Sequence, residues 1–199
     1  MSTWIRGTKA PVADELDVAD LVVTEGVLPP ISGRLVRMGP NPVGPVDENY
    51  QWFAGTGMAH AIDLDAGRPR RFLNRWVRTP EVSEALGEAP TVPSAADVDI
   101  ANTSAMVVGG DLLAMTETCQ PYVLDQNLDT VRRQDFGAGV TEFTAHPHTD
   151  PIAGDVFAIG YGGNYDADCT VYRIYIDGAL IDQRPIDLIG PRALHDVAI

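Results

Sequence analysis

The sequence predicts an all-β fold, and two observations lead to that prediction. Short runs of alternating or β-branched residues recur at intervals of roughly 8–12 residues, separated by glycine, proline, asparagine or aspartate. One stretch, Glu81 to Leu86, has the composition of a helix, and it is short. Strands and turns in this rhythm are typical of a β-propeller, a barrel or a sandwich. No clean internal repeat period emerges, so periodicity leaves the choice between propeller and sandwich open.

We divide the chain into an N-terminal arm, residues 1–30, and a β-rich part, residues 31–199. The arm is polar and acidic, and it ends at Pro29-Pro30. Alternation and turn residues then predict strands at 34–38, 50–53, 58–64, 71–79, 105–108, 111–117, 122–125, 156–161, 170–176 and 180–185.

The bulk composition is that of an ordinary globular domain. Its 199 residues are 45% hydrophobic and 21% charged, which suffices for one core. The net charge of -14 argues against a nucleic-acid partner, because a phosphate backbone would be repelled. Cys119 and Cys169 form no CxxC pair and are too few for a disulfide framework. This cysteine usage favours a reducing cytoplasm. The sequence shows no signal-peptide pattern and no run of roughly 18 apolar residues.

Histidines are the candidates for chemistry. The chain has four, and His146 and His148 lie together in Ala145-His146-Pro147-His148, while His195 stands near the C-terminus. A histidine in such a domain is more often an ordinary surface or hydrogen-bonded residue. A zinc hydrolase would need a local ligand cluster and a general base, and the sequence offers neither.

Several segments, in order, resemble the N-terminal signature of carotenoid cleavage oxygenases. They are Arg37-Met38-Gly39-Pro40-Asn41-Pro42, the stretch from Trp52 to His60, Asn74-Arg75-Trp76-Val77-Arg78-Thr79, Ala101-Asn102-Thr103, the stretch from Asp111 to Glu117, Phe143-Thr144-Ala145-His146-Pro147, and the stretch from His195 to Ile199. The resemblance implies a seven-bladed β-propeller, of which this chain would form roughly the first half of the blades. It also implies Fe(II) on the propeller axis, held by four histidines from different blades.

Carried over by motif, His146 matches the first iron ligand of the family and His195 the second. Glu117 matches a carboxylate that accepts a hydrogen bond from a ligand histidine. Imidazole suits ferrous iron, and a carboxylate on the far ring N–H fixes the orientation of the ring. We interpret His148 as a neighbour of the site, and His60 matches a position without a ligand role.

Two departures from the family pattern bear on function. The usual Trp-Phe-Asp-Gly-Asp-Gly-Met appears here with Ala54 and Thr56 in place of the acids. Stilbene-cleaving members tend to carry a lysine directly before the glutamate that matches Glu117, and here that residue is Thr116. The second departure favours carotenoid or apocarotenoid-like substrates over stilbenes, which stay as the alternative class.

Family members commonly have more than twice this length. We therefore expect a propeller truncated at residue 199, with exposed strand edges. Two histidine ligands are too few to hold iron in the family manner, so we expect this part of the protein to be inactive alone.

The resemblance implies an Fe(II)-dependent dioxygenase that cleaves a C=C bond of an apolar conjugated substrate with O2, giving two carbonyl products. The alternative is a non-catalytic or degenerate propeller remnant that binds an apolar ligand or partner. Oligomeric state stays open, as does peripheral contact with a membrane, from which an apolar substrate would be drawn.

Overall fold

Three four-stranded antiparallel sheets make up the fold, and they confirm the all-β prediction. The computed structural model describes Trp4 and residues 6–93, 99–137, 139–162, 168–187 and 194–199. Strands within each sheet pair mainly with their neighbours along the chain, as in the blades of a β-propeller. We call the sheets blade 1, blade 2 and blade 3 in chain order.

The strands of the three blades have the following bounds. Blade 1 contains β1 (Asp17–Ala19), β2 (Gly33–Pro40), β3 (Gly57–Asp65) and β4 (Arg68–Trp76), paired in the order β1-β4-β3-β2. Blade 2 contains β5 (Ser104–Val108), β6 (Asp111–Met115), β7 (Tyr122–Leu124) and β8 (Thr130–Arg133), paired in that order. Blade 3 contains β9 (His148–Thr149), β10 (Val156–Tyr161), β11 (Asp168–Ile174) and β12 (Leu180–Asp187), paired in the order β12-β11-β10-β9.

The predicted helix is present as α1 (Pro80–Leu86) between blades 1 and 2. The hydroxyl of Thr79 caps its N-terminus by accepting a hydrogen bond from the Val82 N–H at 3.3 Å. Gly87 ends it in the left-handed conformation, with φ of 69°. Among the described residues, no helix is long and apolar enough to span a membrane.

Two of the three hydrophobic clusters in the described part of the chain form layers of side chains between neighbouring blades. Ala59, Ala61 and Leu73 of blade 1 pack with Tyr122 and Leu124 of blade 2. A second layer joins blades 2 and 3 and includes Leu113, Met115, Phe143, Ala158 and Ile174. Alternation along each strand produces this arrangement, because every second side chain faces the neighbouring blade.

At Gly57, the backbone of blade 1 lies directly against the segment that leads into blade 2. The Gly57 N–H donates to the Ile100 carbonyl at 2.6 Å, and a Cβ on Gly57 would lie 2.0 Å from the Ala101 carbonyl oxygen. Only glycine fits where two backbones are this close. The last glycine of the Gly55-Thr56-Gly57 turn is therefore a packing requirement.

One predicted strand is wrong. Tyr50 to Phe53 was expected to be extended, but Trp52–Ala54 is a turn of 3-10 helix. A local hydrogen bond stabilises this turn, because the Gly55 N–H donates to the Trp52 carbonyl at 3.1 Å. The short strands β1, β8 and β9 were not predicted, because two to four residues carry too little alternation to be recognised.

Buried asparagines fix the N-terminal arm to blade 1. Asn41 accepts a hydrogen bond from the Val12 N–H at 2.7 Å and donates to the Val12 carbonyl at 2.9 Å. Asn74 accepts from the Leu16 N–H at 2.5 Å. These bonds bring β1 beside β4, so part of the predicted arm adds a strand to the first blade.

Glu15 is the charged anchor of the same arm. Its carboxylate accepts hydrogen bonds from the Trp76 N–H at 2.8 Å and from Arg78, whose Nη2 lies 3.0 Å from Oε2. Burial raises the pKa of Glu15, but the Arg78 and Trp76 hydrogen bonds outweigh it and leave the pKa below its ordinary value of 4.5. The arm is thus held by a carboxylate that is ionised at neutral pH.

We predict that Glu15 contributes stability that is lost in acid. A depressed folded-state pKa means that the contribution is present above the unfolded value of 4.5 and is lost as pH falls through the lower folded value. Glu15→Gln should lower the free energy of unfolding at pH 7 by about 1–2 kcal/mol, as for a partly exposed charged hydrogen bond. Urea unfolding at pH 7 and below pH 4 measures this.

Asp14→Asn is the matched control, because the Asp14 side chain is exposed, and it should leave the unfolding curves unchanged. If Glu15→Gln is as stable as the original chain at pH 7, the anchoring role is wrong.

Candidate metal centre

Two histidines and one carboxylate meet between blades 2 and 3. The potential ligand atoms of Glu117, His146 and His195 all lie within 4.8 Å of one another. We call these three residues the candidate metal centre. Glu117 follows β6, His146 precedes β9, and His195 lies beyond β12, so separate parts of the chain contribute each residue. The structure brings together all three residues that the sequence motifs singled out.

Glu117 is fixed by a turn in the backbone that follows it. Thr118 has a φ of 68°, in the left-handed region that residues other than glycine rarely adopt. Its N–H donates a hydrogen bond to the Phe143 carbonyl at 3.1 Å. This bond ties the end of β6 to the segment that leads to His146.

The backbone around His146 is also fixed. The hydroxyl of Thr144, which is fully buried, accepts a hydrogen bond from the His146 N–H at 3.0 Å. The Ser104 hydroxyl, at the start of β5, donates to the Ala145 carbonyl. Both the N–H and the carbonyl of the peptide group between Ala145 and His146 are therefore hydrogen-bonded, which fixes the backbone from which the His146 ring projects.

Glu117 Oε1 lies close to one nitrogen of each imidazole ring. It is 3.3 Å from His195 Nδ1 and 3.9 Å from His146 Nε2. The two ring centroids are 4.4 Å apart, and the planes meet at 62°. His195 is 71% exposed, so the site opens to solvent on its side.

Two buried polar atoms at this point lack partners. Glu117 Oε1 and His146 Nε2 have no hydrogen bond within the part of the chain that the structure describes. Buried polar atoms in folded proteins are nearly always paired. A cation bonded to the imidazole nitrogen would satisfy His146, and a tilt of the His195 ring would let its Nδ1–H satisfy Glu117. The donor set thus fits a divalent transition metal.

The electrostatics of Glu117 reflect its burial. Burial raises its pKa above the ordinary value of 4.5. The hydrogen bond from the Tyr161 hydroxyl, the nearby His195 and His146, and a backbone hydrogen bond from Ala145 lower the pKa and only partly offset the increase. A desolvated carboxylate next to two imidazoles attracts a positive charge. This favours cation binding at the centre.

The other two histidines lie outside the candidate metal centre. His148, on β9, is paired with Asp196, and its Nε2 is 2.7 Å from the Asp196 Oδ1. His60, on β3, packs beside Phe72, and burial lowers its pKa. Sequence reasoning missed the His148 pairing, because the partner of His148 comes 48 residues later.

We predict that the His148 to Asp196 pair orders the segment that carries His195. His148→Ala should accelerate amide hydrogen exchange at residues 196–199 and leave exchange in β10 unchanged. Global stability should change little, because the two side chains are 45% and 57% exposed. Unchanged exchange at residues 196–199 would show that other contacts order this segment.

Comparison with known proteins identifies the family of the chain. The profile of the RPE65 family, described as retinal pigment epithelial membrane protein, matches residues 9–199. The chain therefore belongs to this family, which includes the carotenoid cleavage oxygenases.

Curated relatives match nearly the whole chain but extend well beyond it. A carotenoid cleavage oxygenase of Mycobacterium tuberculosis is 40% identical over 203 residues, which are 98% of this chain and 40% of the relative. Carotenoid 9,10(9',10')-cleavage dioxygenase 1 of Arabidopsis thaliana is 29% identical, over 98% of this chain and 42% of its own length. Resveratrol cleavage oxygenase 1 of Aspergillus fumigatus is 30% identical, over 97% of this chain and 42% of its own length. The chain spans about two fifths of the length of these relatives.

Solved structures show the same fold. Lignostilbene dioxygenase of Pseudomonas brassicacearum superposes with a TM-score of 0.85 at 26% identity, covering 98% of this chain and 44% of the other. The cobalt-substituted Synechocystis enzyme ACO superposes with a TM-score of 0.79 at 25% identity, covering 95% and 45%. Both are propeller enzymes, and the prediction of a partial β-propeller is confirmed.

Proposed function

We propose that this chain is part of an Fe(II)-dependent dioxygenase, in which His146 and His195 are iron ligands and Glu117 orients His195. The reaction is oxidative cleavage of a C=C bond in a carotenoid or apocarotenoid-like substrate, which gives two carbonyl products. The unpaired, buried Nε2 of His146 beside the His195 ring is the observation that carries the proposal. Membership of the family supplies the reaction class.

In this proposal, the two histidines bind the metal and Glu117 orients His195. Because Nδ1 of His195 faces Glu117, its Nε2 is left available for a metal. A carboxylate that accepts the Nδ1–H fixes the tautomer and increases the basicity of the ring. Bound iron would supply the dioxygen chemistry, which side chains alone do not perform. Neutral imidazoles leave the full charge of the metal in place.

Two imidazoles are half of the set that the family resemblance implies. We propose that the other ligands come from the part of the protein that matches the remaining length of its relatives. This chain would then supply one side of the site, with His195 open to solvent on the side where the other ligands would approach.

Thr116 supports a carotenoid-like substrate over a stilbene. Its side chain is buried, and its hydroxyl lies 3.4 Å from that of Thr103. No cationic side chain stands at this position to engage a phenol, in contrast to the lysine of the stilbene-cleaving branch. The superposition with a lignostilbene dioxygenase keeps stilbenes as the second substrate class to test.

The replaced acids of the glycine turn do not argue for a degenerate protein. Thr56 is buried, and its hydroxyl donates to the Asn41 carbonyl at 2.8 Å and accepts from the Val43 N–H at 3.1 Å. Asn102 also closes the turn by donating to the Gly55 carbonyl at 2.7 Å. The turn is hydrogen-bonded without its acids, so the enzyme proposal is preferred to a non-catalytic remnant.

The ligand assignment predicts loss of metal. In the full-length protein, His146→Ala and His195→Ala should each weaken Fe(II) or Co(II) binding by more than about 100-fold, because a ligand counts for more than its hydrogen-bond partners. Equilibrium titration followed by the Co(II) absorption spectrum measures this. His60→Ala is the control and should bind metal normally. If both ligand variants bind as tightly as the original, the assignment is wrong.

The substrate assignment is tested on the full-length protein loaded with iron. Under ¹⁸O2, an apocarotenoid panel should give aldehyde products that carry the label, detected by mass spectrometry, and a stilbene panel should react at least about tenfold more slowly. Faster cleavage of stilbenes would move the protein to the second substrate class. No aldehyde from either panel would contradict the enzyme proposal and favour the non-catalytic alternative.

A further inference from the structure

Tyr161 contacts the candidate metal centre from blade 3, and the sequence motifs do not include it. It is the last residue of β10, and it is 3% exposed. Its hydroxyl donates a hydrogen bond to Glu117 Oε2 at 3.0 Å. This bond connects the carboxylate after blade 2 to a strand of blade 3 across a buried interface.

The two oxygens of Glu117 have different surroundings. Oε2 is bonded to Tyr161, whereas Oε1 is 3.3 Å from His195 Nδ1 and 3.9 Å from His146 Nε2. The last torsion of a glutamate is broad, so the side chain does not fix the plane of its own carboxylate. A hydrogen bond to one oxygen fixes that plane, and bonds to an ionised acceptor are the strong ones.

β10 gives Tyr161 a rigid base. Tyr161 pairs with Cys169 of β11, and Gly160 allows the Tyr172 ring to lie against the strand. A Cβ on Gly160 would be 2.8 Å from that ring and 2.6 Å from the Glu142 carbonyl oxygen. The strand is therefore packed closely on that face. A hydroxyl carried on a strand is placed more reproducibly than one carried on a loop.

We propose that Tyr161 is a positioning residue of the candidate metal centre, where its hydroxyl orients the Glu117 carboxylate so that Oε1 faces His195. Glu117 then selects the His195 tautomer with its proton on Nδ1, which leaves Nε2 for the metal. This inference rests on the proposed function for its metal, but the orientation of His195 is a property of the metal-free protein.

Tyr161→Phe removes only the hydroxyl and keeps the ring in the core. Tyr172→Phe is the matched control, because Tyr172 is also a buried tyrosine of blade 3 and packs in the layer between blades 2 and 3. Each substitution deletes one buried hydroxyl. Only the first one deletes a hydrogen bond to Glu117.

The first measurement uses the metal-free protein at about pH 8, where an ordinary histidine is neutral. Long-range ¹H–¹⁵N correlation spectra report which ring nitrogen of His195 carries the proton. The original chain and Tyr172→Phe should show the Nδ1–H tautomer, and Tyr161→Phe should show a mixture of tautomers. An unchanged His195 tautomer in Tyr161→Phe, or the same change in Tyr172→Phe, overturns the proposal.

The second measurement is Co(II) titration of the full-length protein and of its Tyr161→Phe and Tyr172→Phe variants. Tyr161→Phe should bind about tenfold more weakly, at the low end of the effect of outer hydrogen-bond partners on metal affinity, and Tyr172→Phe should bind like the original. Equal affinity of all three proteins overturns the positioning role. If none binds Co(II) but the tautomer changes as expected, the iron proposal fails and the positioning of His195 by Tyr161 stands.

Discussion

A carboxylate taken out of water between two blades is the constraint on which the rest of the site depends. Glu117 is half-buried, and burial raises its pKa, so its oxygens need donors. Tyr161 supplies one donor and His195 lies within reach as the other. A strand of blade 3 and the segment beyond β12 thus meet at Glu117. His146 completes the group from the connection between the blades.

The packing of the blades sets the relative positions of Glu117 and Tyr161. β6 and β10 belong to neighbouring sheets that share a layer of buried side chains, including Leu113 and Ala158. Glu117 and Tyr161 stand at the ends of these strands, and their separation is set by the packing of the sheets. His195 differs, because its segment has no strand, and the Asp196 contact with His148 is one of its anchors. The position of Glu117 is therefore set by packed sheets, whereas the position of His195 depends on a few polar contacts.

Much of this could be predicted from the sequence. Alternating residues and turn signals located nine of the twelve strands in the described part of the chain, and the composition of residues 81–86 located α1. Matching motifs selected Glu117, His146 and His195, which the structure then brought together. The roles of Tyr161 and Asp196 depend on contacts across blades, and no local pattern distinguishes a core tyrosine from one that orients a carboxylate. The 3-10 turn at Trp52 was not predicted, because aromatic residues generally favour strands. Local hydrogen bonds within the turn determine its conformation instead.

The most direct test of the account is a crystal structure of the cobalt-loaded protein, with anomalous diffraction data collected at the cobalt edge. We predict one anomalous peak at roughly 2.0–2.2 Å from a ring nitrogen of both His146 and His195, a normal metal–imidazole distance. Glu117 should contact His195 and not the metal. A peak bonded to the Glu117 carboxylate, or no peak near either histidine, would contradict the account.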